Sequence, residues 1–245
     1  MASMPKFEQI AIDLRAKIDS GEFAPGHAFP SDREIRELYG VASVTARKAL
    51  AELRSAGLIE VRQGSSPIVS SWRPILRDTT TRLSTQLWGS GHAIWDADVA
   101  DRALSVEQIS VGETSTPPPW VAEALGTNEV LVRDRLFVVD GRPVQFALSY
   151  LPAEIARGTA IERHDTGPGG TFARLQELGF APELFQERTR ARKVQPEEAR
   201  RLRMPADRTV LIIRRRAATA SRRVVEVTEM TLDATAYVLQ TSFTA

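Results

Sequence analysis

Apolar residues recur along the first quarter of the chain at helical spacing. Phe7, Ile10, Ala11, Leu14 and Ile18 share one face of a helix predicted over residues 6–20, which Gly21 ends. Ser31 is a good N-cap, and Glu34 three positions on completes a capping box. Ile35, Leu38 and Tyr39 form the stripe of the short helix that follows, and Gly40 can end it in the left-handed region. Val41 and Ala42 make a turn, and Ser43 offers a second N-cap. Ala46, Ala49, Leu50 and Leu53 then recur at i, i+3, i+4 and i+7, up to Gly57. Residues 58–62 and 67–70 are short strand-like runs around Gln63-Gly64-Ser65-Ser66, a hairpin beside the third helix.

The pattern then breaks. Pro74 and Thr79-Thr80-Thr81, with charges at Arg73, Arg77, Asp78 and Arg82, make residues 73–83 read as a linker between a domain over 1–72 and a second over 84–245. Residues 84–105 are weakly patterned, with Gly89-Ser90-Gly91-His92 as a turn beside Trp88 and Trp95, both read as packing residues. Beyond residue 106 strands mix with short helices. Residues 109–113 suit a strand, and Pro117-Pro118-Pro119 starts a helix through Leu125 that Gly126 ends. Residues 130–139 and 143–151 are apolar strands around Asp140-Gly141, the strongest hairpin signal in the chain. Thr171 is placed to cap a helix carrying Phe172, Leu175 and Leu178. A polar strand over 186–194, a helix over 196–202 with Pro at its first position, and strands over 210–218, 224–232 and 237–243 follow. Hairpins with segregated helices predict an α+β domain around an antiparallel sheet.

Two helices joined by a tight turn, with a hairpin wing behind them, suit a winged helix-turn-helix whose second helix enters the major groove. The face opposite the apolar stripe carries Val44, Thr45, Arg47 and Lys48, donors for base edges and phosphates. On an isolated helix pair they would be no more than a solvated face; the turn, spacing and wing together favour DNA. FEQIAIDLRAKIDSGEFAPGHAFPSDREIRELYGV and TARKALAELRSAGLIEVRQG resemble the winged helix-turn-helix of GntR-type transcription regulators. The resemblance implies DNA contacts at Arg33, Thr45, Arg47 and Gly64, the last at the wing tip, with Ser43 and Lys48 on the same surface. Two departures stand out. Many relatives have Ser-Arg where this chain has Ala42-Ser43, and Gly-Arg-Gly-Thr where it has Gly64-Ser65-Ser66-Pro67.

A second candidate site lies in the C-terminal half. Arg133 and Arg135, two apart on a strand, point to one face with Leu131, Phe137 and Val139. Guanidiniums on an apolar face are costly unless paired with carboxylates or facing an anion, and the residues alone leave both open. Asp165 to Thr171, DTGPGGT, runs into a helix N-terminus. There backbone N–H groups and the helix dipole favour negative charge, unless the stretch is simply a flexible loop with a cap. VRDRLFVVDGRPVQFALSYLP, GPGGTFARLQELG and VVEVTEMTLDATAYVLQTSF resemble the UTRA effector domain, of chorismate-lyase-like fold, found in the HutC branch of GntR regulators. That resemblance implies a small-molecule effector held by Arg133, Arg135, Ser149, Gly170, Thr171 and Glu226. It puts Leu232 where a tyrosine is often found. GPGGTFARLQELG is similar to actinobacterial repressors, including those controlling transfer of mobile elements.

With 42% apolar and 26% charged residues, the 245-residue chain has an ordinary globular composition. It has no cysteine, so disulfides and thiolate metal sites are excluded. No apolar run approaches a membrane span, and a cytoplasmic location is expected. A net charge of +1 adds nothing on nucleic acid. His27, His92 and His164 form no metal-ligand pair, and no G-x-S-x-G turn occurs, so neither an enzyme nor a cofactor is expected. The expectation is a repressor that binds an inverted repeat as a homodimer and responds to an effector. The alternative is a repressor whose C-terminal domain only dimerises. Apolar strands at 210–213 and 224–227 are expected to leave a sheet that the partner completes or covers.

Overall fold

The computed structural model describes residues 4–61, 65–84, 96–99 and 101–243, and it divides the chain between Arg73 and Pro74 into two units with separate cores. In the first unit, α1 (Lys6–Asp19), α2 (Asp32–Tyr39) and α3 (Ser43–Ser55) turn their apolar stripes inward. Ile10, Leu14, Ile35, Ala46, Ala49 and Leu53 are all buried, with Phe29, Ile59 and Val69 closing the core. The Glu34 amide donates to Ser31 Oγ, and the Glu34 carboxylate accepts from the Ser31 amide at 2.8 Å. Gly40 ends α2 at φ 62°, a conformation that costs a residue with a Cβ and that glycine adopts freely.

Ser43 does not cap α3. Ala42 holds the N-cap position, and Ser43 Oγ donates instead to Asp32 at 3.1 Å, tying the start of α3 to the start of α2. The carboxylate of Asp32 is a stronger acceptor than a hydroxyl is a cap. β1 (Ile59–Glu60) and β2 (Ile68–Val69) pair antiparallel, shorter than the predicted runs. Gly64 lies outside the described residues, as do Trp88, Trp95 and the Gly89–His92 turn.

The second unit is built on six antiparallel strands in the order β4-β5-β6-β9-β8-β7: β4 (Leu104–Thr114), β5 (Val130–Val139), β6 (Arg142–Pro152), β7 (Leu184–Lys193), β8 (Thr209–Ala218) and β9 (Val224–Asp233). Asp140 and Gly141 join β5 to β6 with φ of 49° and 76°, both positive, as a two-residue hairpin matching the strand twist requires. β4 is longer than predicted and carries a bulge between Glu107 and Ser110, which breaks its period-2 pattern. On one sheet face lie α6 (Pro119–Leu125), against Val130, Tyr150 and Val227, and α9 (Pro196–Arg201), against Leu136, Phe146 and Ile212. On the other face α7 (Ala153–Ala156) and α8 (Gly170–Glu177) cover one end with Ile155, Phe172 and Leu175. Thr171 is the second residue of α8, whose N-cap is Gly169 at φ 76°, so it is not the cap expected of it.

Two expectations fail here. Residues 73–83 are not an open linker: β3 (Ile75–Asp78) pairs in parallel with β10 (Tyr237–Gln240), and α4 (Thr79–Arg82), capped by Asp78, follows directly, with α5 (Asp96–Val99) the next helix. Its Thr-rich composition hides this, because the partner strand lies at the far end of the chain. Nor can a partner complete the sheet at 210–213 and 224–227. β8 and β9 have neighbours on both sides, and Val210, Ile212, Ile213, Val225 and Val227 are buried within the unit. A fully apolar strand signals an interior position in a sheet at least as well as an exposed interface.

Candidate functional site

Two surfaces carry the candidate residues, one in each unit. In the first, burying Ala46, Ala49 and Leu53 leaves Val44, Arg47 and Lys48 facing solvent, with Thr45 half-buried at the edge. Arg33, at the start of α2, is 76% exposed and meets Glu37 only at 3.7 Å, a surface pair too weak to hold it from another anion. Lys48 Nζ stands 5.5 Å from the Phe7 ring centroid, so its stem leans over α1. Arg33, Thr45 and Arg47 are thus presented, while Ser43 is engaged with Asp32.

In the second unit, strand register turns period-2 patterns into rows. Arg133 on β5 stands opposite Ser149 on β6, Ser149 opposite Thr228 on β9, and Thr228 opposite Arg215 on β8. The next row along the same face is Arg135, Ala147 and Met230, and the next Phe137, Gln145 and Leu232. Above these rows the His164–Thr171 loop and the start of α8 close a cavity of about 380 Å³. Arg133, Arg135, Gly170, Thr171 and Glu226 all line it. Ser149 lies beneath, accepting from Arg135 at 2.6 Å and bonded to Thr228 at 2.8 Å. The six residues assigned to an effector therefore gather at one place, although four separate elements supply them.

The structure adds members that sequence reasoning missed. Arg215 is buried in the cavity wall, donating to Glu226 at 2.8 Å, with its guanidinium 5.1 Å from the Phe172 ring. Its position between Ile213 and Ala217 on the inward face of β8 was a signal available within the Arg214-Arg215-Arg216 run. Arg82 of α4 also lines the cavity, 3.3 Å from Asp98. No sequence signal marks it, since it lies in the stretch that reads as a linker. Arg133 is 2% exposed, and its guanidinium donates to the carbonyls of Ile161, Arg163 and His164, the last at 2.9 Å. It fastens the loop that roofs the cavity.

Four guanidiniums thus line the cavity against two carboxylates, Glu226 and Asp165. Burial lowers the Arg133 guanidinium to about 10, and the neighbouring Arg135 adds to this. Burial also lowers Arg135, against the opposing pull of Glu226. Four guanidiniums against two carboxylates give the cavity lining a positive balance, an arrangement that suits an anion. The first turn of α8 adds N–H groups and the positive end of its dipole.

Comparison with known proteins matches each unit to a family. The model of the gntR family of bacterial regulatory proteins matches residues 6–69, and that of the UTRA domain matches residues 100–238. An HTH-type transcriptional regulator of Streptomyces coelicolor, SCO4628, is 28% identical over 234 residues, 91% of this chain and 86% of that protein. MngR of Escherichia coli, the mannosyl-D-glycerate transport/metabolism system repressor, is 37% identical over 73 residues, 30% of each chain. The crystal structure of PhnF from Mycobacterium smegmatis shares the fold, with a TM-score of 0.60 at 21% identity over 96% of this chain and 99% of that one. Among the described residues no helix is long and apolar enough to cross a membrane. An N-terminal winged helix-turn-helix and a C-terminal UTRA domain together make the chain a member of the gntR family, a DNA-binding transcription regulator.

Proposed function

We propose that the protein is a cytoplasmic repressor that binds an inverted-repeat operator as a homodimer and releases it when a small anion enters the UTRA cavity. Arg47 and Thr45 read base edges, Arg33 and Lys48 hold phosphates, Ser43 sets the start of the reading helix through Asp32, and Gly64 is a further contact. The name of MngR, similar over 73 residues, supports repression as the role of the bound protein. Two reading heads about a two-fold axis suit a palindromic site. The exposed apolar side chains Leu76, Val238 and Leu239 on the β3–β10 pair support a subunit interface there.

The observation that carries the effector reading is the cavity itself. Four guanidiniums against two carboxylates around about 380 Å³ of space favour an anion over a domain that only dimerises, which needs no such lining. Arg135, Gly170 and Thr171 hold the anion, Ser149 fixes Arg135, and Glu226 holds Arg215 beside it. The effector shifts operator affinity by binding one arrangement of the dimer better than the other. Selection of duplexes from a random pool by the full chain should return a two-fold symmetric sequence. A screen of small anions should then find one that releases this duplex from the native protein. Arg135→Ala should bind the duplex normally and ignore that anion. A normal response in Arg135→Ala would overturn the site, and no response to any anion would favour the dimerisation-only alternative.

A further inference from the structure

Along β5 and β6 the charged lining residues lie in the Arg133 and Arg135 rows, and the row beyond them holds a buried polar group whose acceptor is unbonded among the described residues. Gln145 on β6 is 1% exposed, lines the cavity, and among the described residues its Oε1 accepts no hydrogen bond. Register sets Phe137, Leu232 and Val106 in its row and Ala147 and Met230 in the next, none with a side-chain hydrogen-bonding group. A buried amide left unbonded costs stability, and an apolar residue would fill this position without that penalty. A terminal amide at the far wall of a ligand cavity is satisfied when the ligand brings a polar group to it.

We propose that the ligand of this cavity is an amphipathic anion: an acidic head at Arg135 and Arg215, an apolar body along Ala147 and Met230, and a hydroxyl at its far end that donates to Gln145 Oε1. The proposal rests on the cavity being the effector site and adds the class of molecule it selects. Register sets the length. From the Phe137–Gln145–Leu232 row, the row of Arg135 lies one pleat away, roughly 7 Å along the strands, and the row of Arg215 two pleats away, roughly 13 Å. Side chains reach inward from both ends, so a body of about eight atoms spans the remainder of those two pleats. A sugar phosphate fits this arrangement poorly. Its ring hydroxyls would face Ala147, Met230 and Phe137, which offer them no partners. A plain fatty acid satisfies the head and body but leaves Gln145 unbonded.

Octanoate and 8-hydroxyoctanoate, with glucose 6-phosphate as the polar control, test this by calorimetric titration into the full-length protein. The native protein should bind the hydroxy acid at least about tenfold more tightly than octanoate, the factor that satisfying one buried amide is worth. Gln145→Leu should abolish that preference while binding octanoate at least as well. Gln145→Met, equal in length to glutamine, gives the same reading should the leucine variant not fold. Equal binding of the two acids by the native protein, or a preference that survives in both variants, would overturn the role of Gln145. If Arg135→Ala then loses both acids, the anion site itself stands. Tighter binding of glucose 6-phosphate than of either acid would overturn the apolar body and leave the effector site in place. Failure of all three to bind overturns the proposed class, and the duplex-release screen then decides the effector site independently.

Discussion

Arg77 offers the sharpest test of how the second unit is held together. It lies in the stretch that composition marks as a linker, yet it is 1% exposed and donates through both terminal nitrogens to Glu187 on β7, at 2.8 and 2.5 Å. Removing one partner of a buried pair strands the other charge, at a cost of about 3–5 kcal/mol. Arg215 and Arg82 also act on Glu187, which holds Arg77→Met toward the lower end, about 3 kcal/mol. For a unit of this size that lowers the melting temperature by roughly 6–12 °C. Burial would raise the Glu187 carboxyl, but the hydrogen bonds and charge of Arg77 bring it below its ordinary value. A lowered carboxyl stabilises the fold above its unfolded value near 4.5, and that contribution is lost as pH falls through the folded value. The gap between native protein and Arg77→Met should therefore be full at pH 7 and narrow below pH 4.5. Thermal melts of the full chain across that range measure it. Arg77→Met with Glu187→Met should recover most of the loss, since apolar replacement of a whole buried pair is near neutral. A single variant within about 0.5 kcal/mol of native at pH 7 would refute the argument and return residues 73–83 to a solvated linker.

Three further outcomes are expected. Arg47→Ala should lose about 1–3 kcal/mol of operator affinity in a gel-shift titration with its melting temperature unchanged, because the side chain is exposed. Leu76→Asp, at 49% exposure on β3, should shift the protein toward a mass near 27.1 kDa in sedimentation at micromolar concentration; an unchanged dimer would place the interface elsewhere. Burial pushes the Asp98 carboxyl up to about 6, overcoming Arg82 at 3.3 Å. A raised carboxyl contributes stability below its unfolded value near 3.8 and loses it as pH rises toward 6. Urea melts of Asp98→Asn should lack that part of the pH slope between 4 and 6 that the native protein shows.

Local physics made much of the chain legible from its sequence. Ile10, Leu14, Ile35, Ala46, Ala49 and Leu53 are buried because a 3.6-residue period sends them to one side of a helix, whatever that side later meets. The Ser31–Glu34 box, the Gly40 stop and the Asp140-Gly141 turn involve only residues close in sequence, so their chemistry is complete there. That Arg133 and Arg135 share a strand face follows from the same reasoning with a period of two. What the pattern could not supply was register. Ser149, Thr228 and Arg215 come beside Arg133 only because β6, β9 and β8 pair at one alignment, and a slip of one residue would turn each to the opposite face. The same limit hid β3, whose partner β10 lies at the other end of the chain, and with it the buried Arg77 and Arg82. Periodicity is written in each segment by the geometry of a single helix or strand. The partner of a strand, and the charge a buried arginine meets, are settled only when distant segments compete for the same core, and that competition belongs to the tertiary structure.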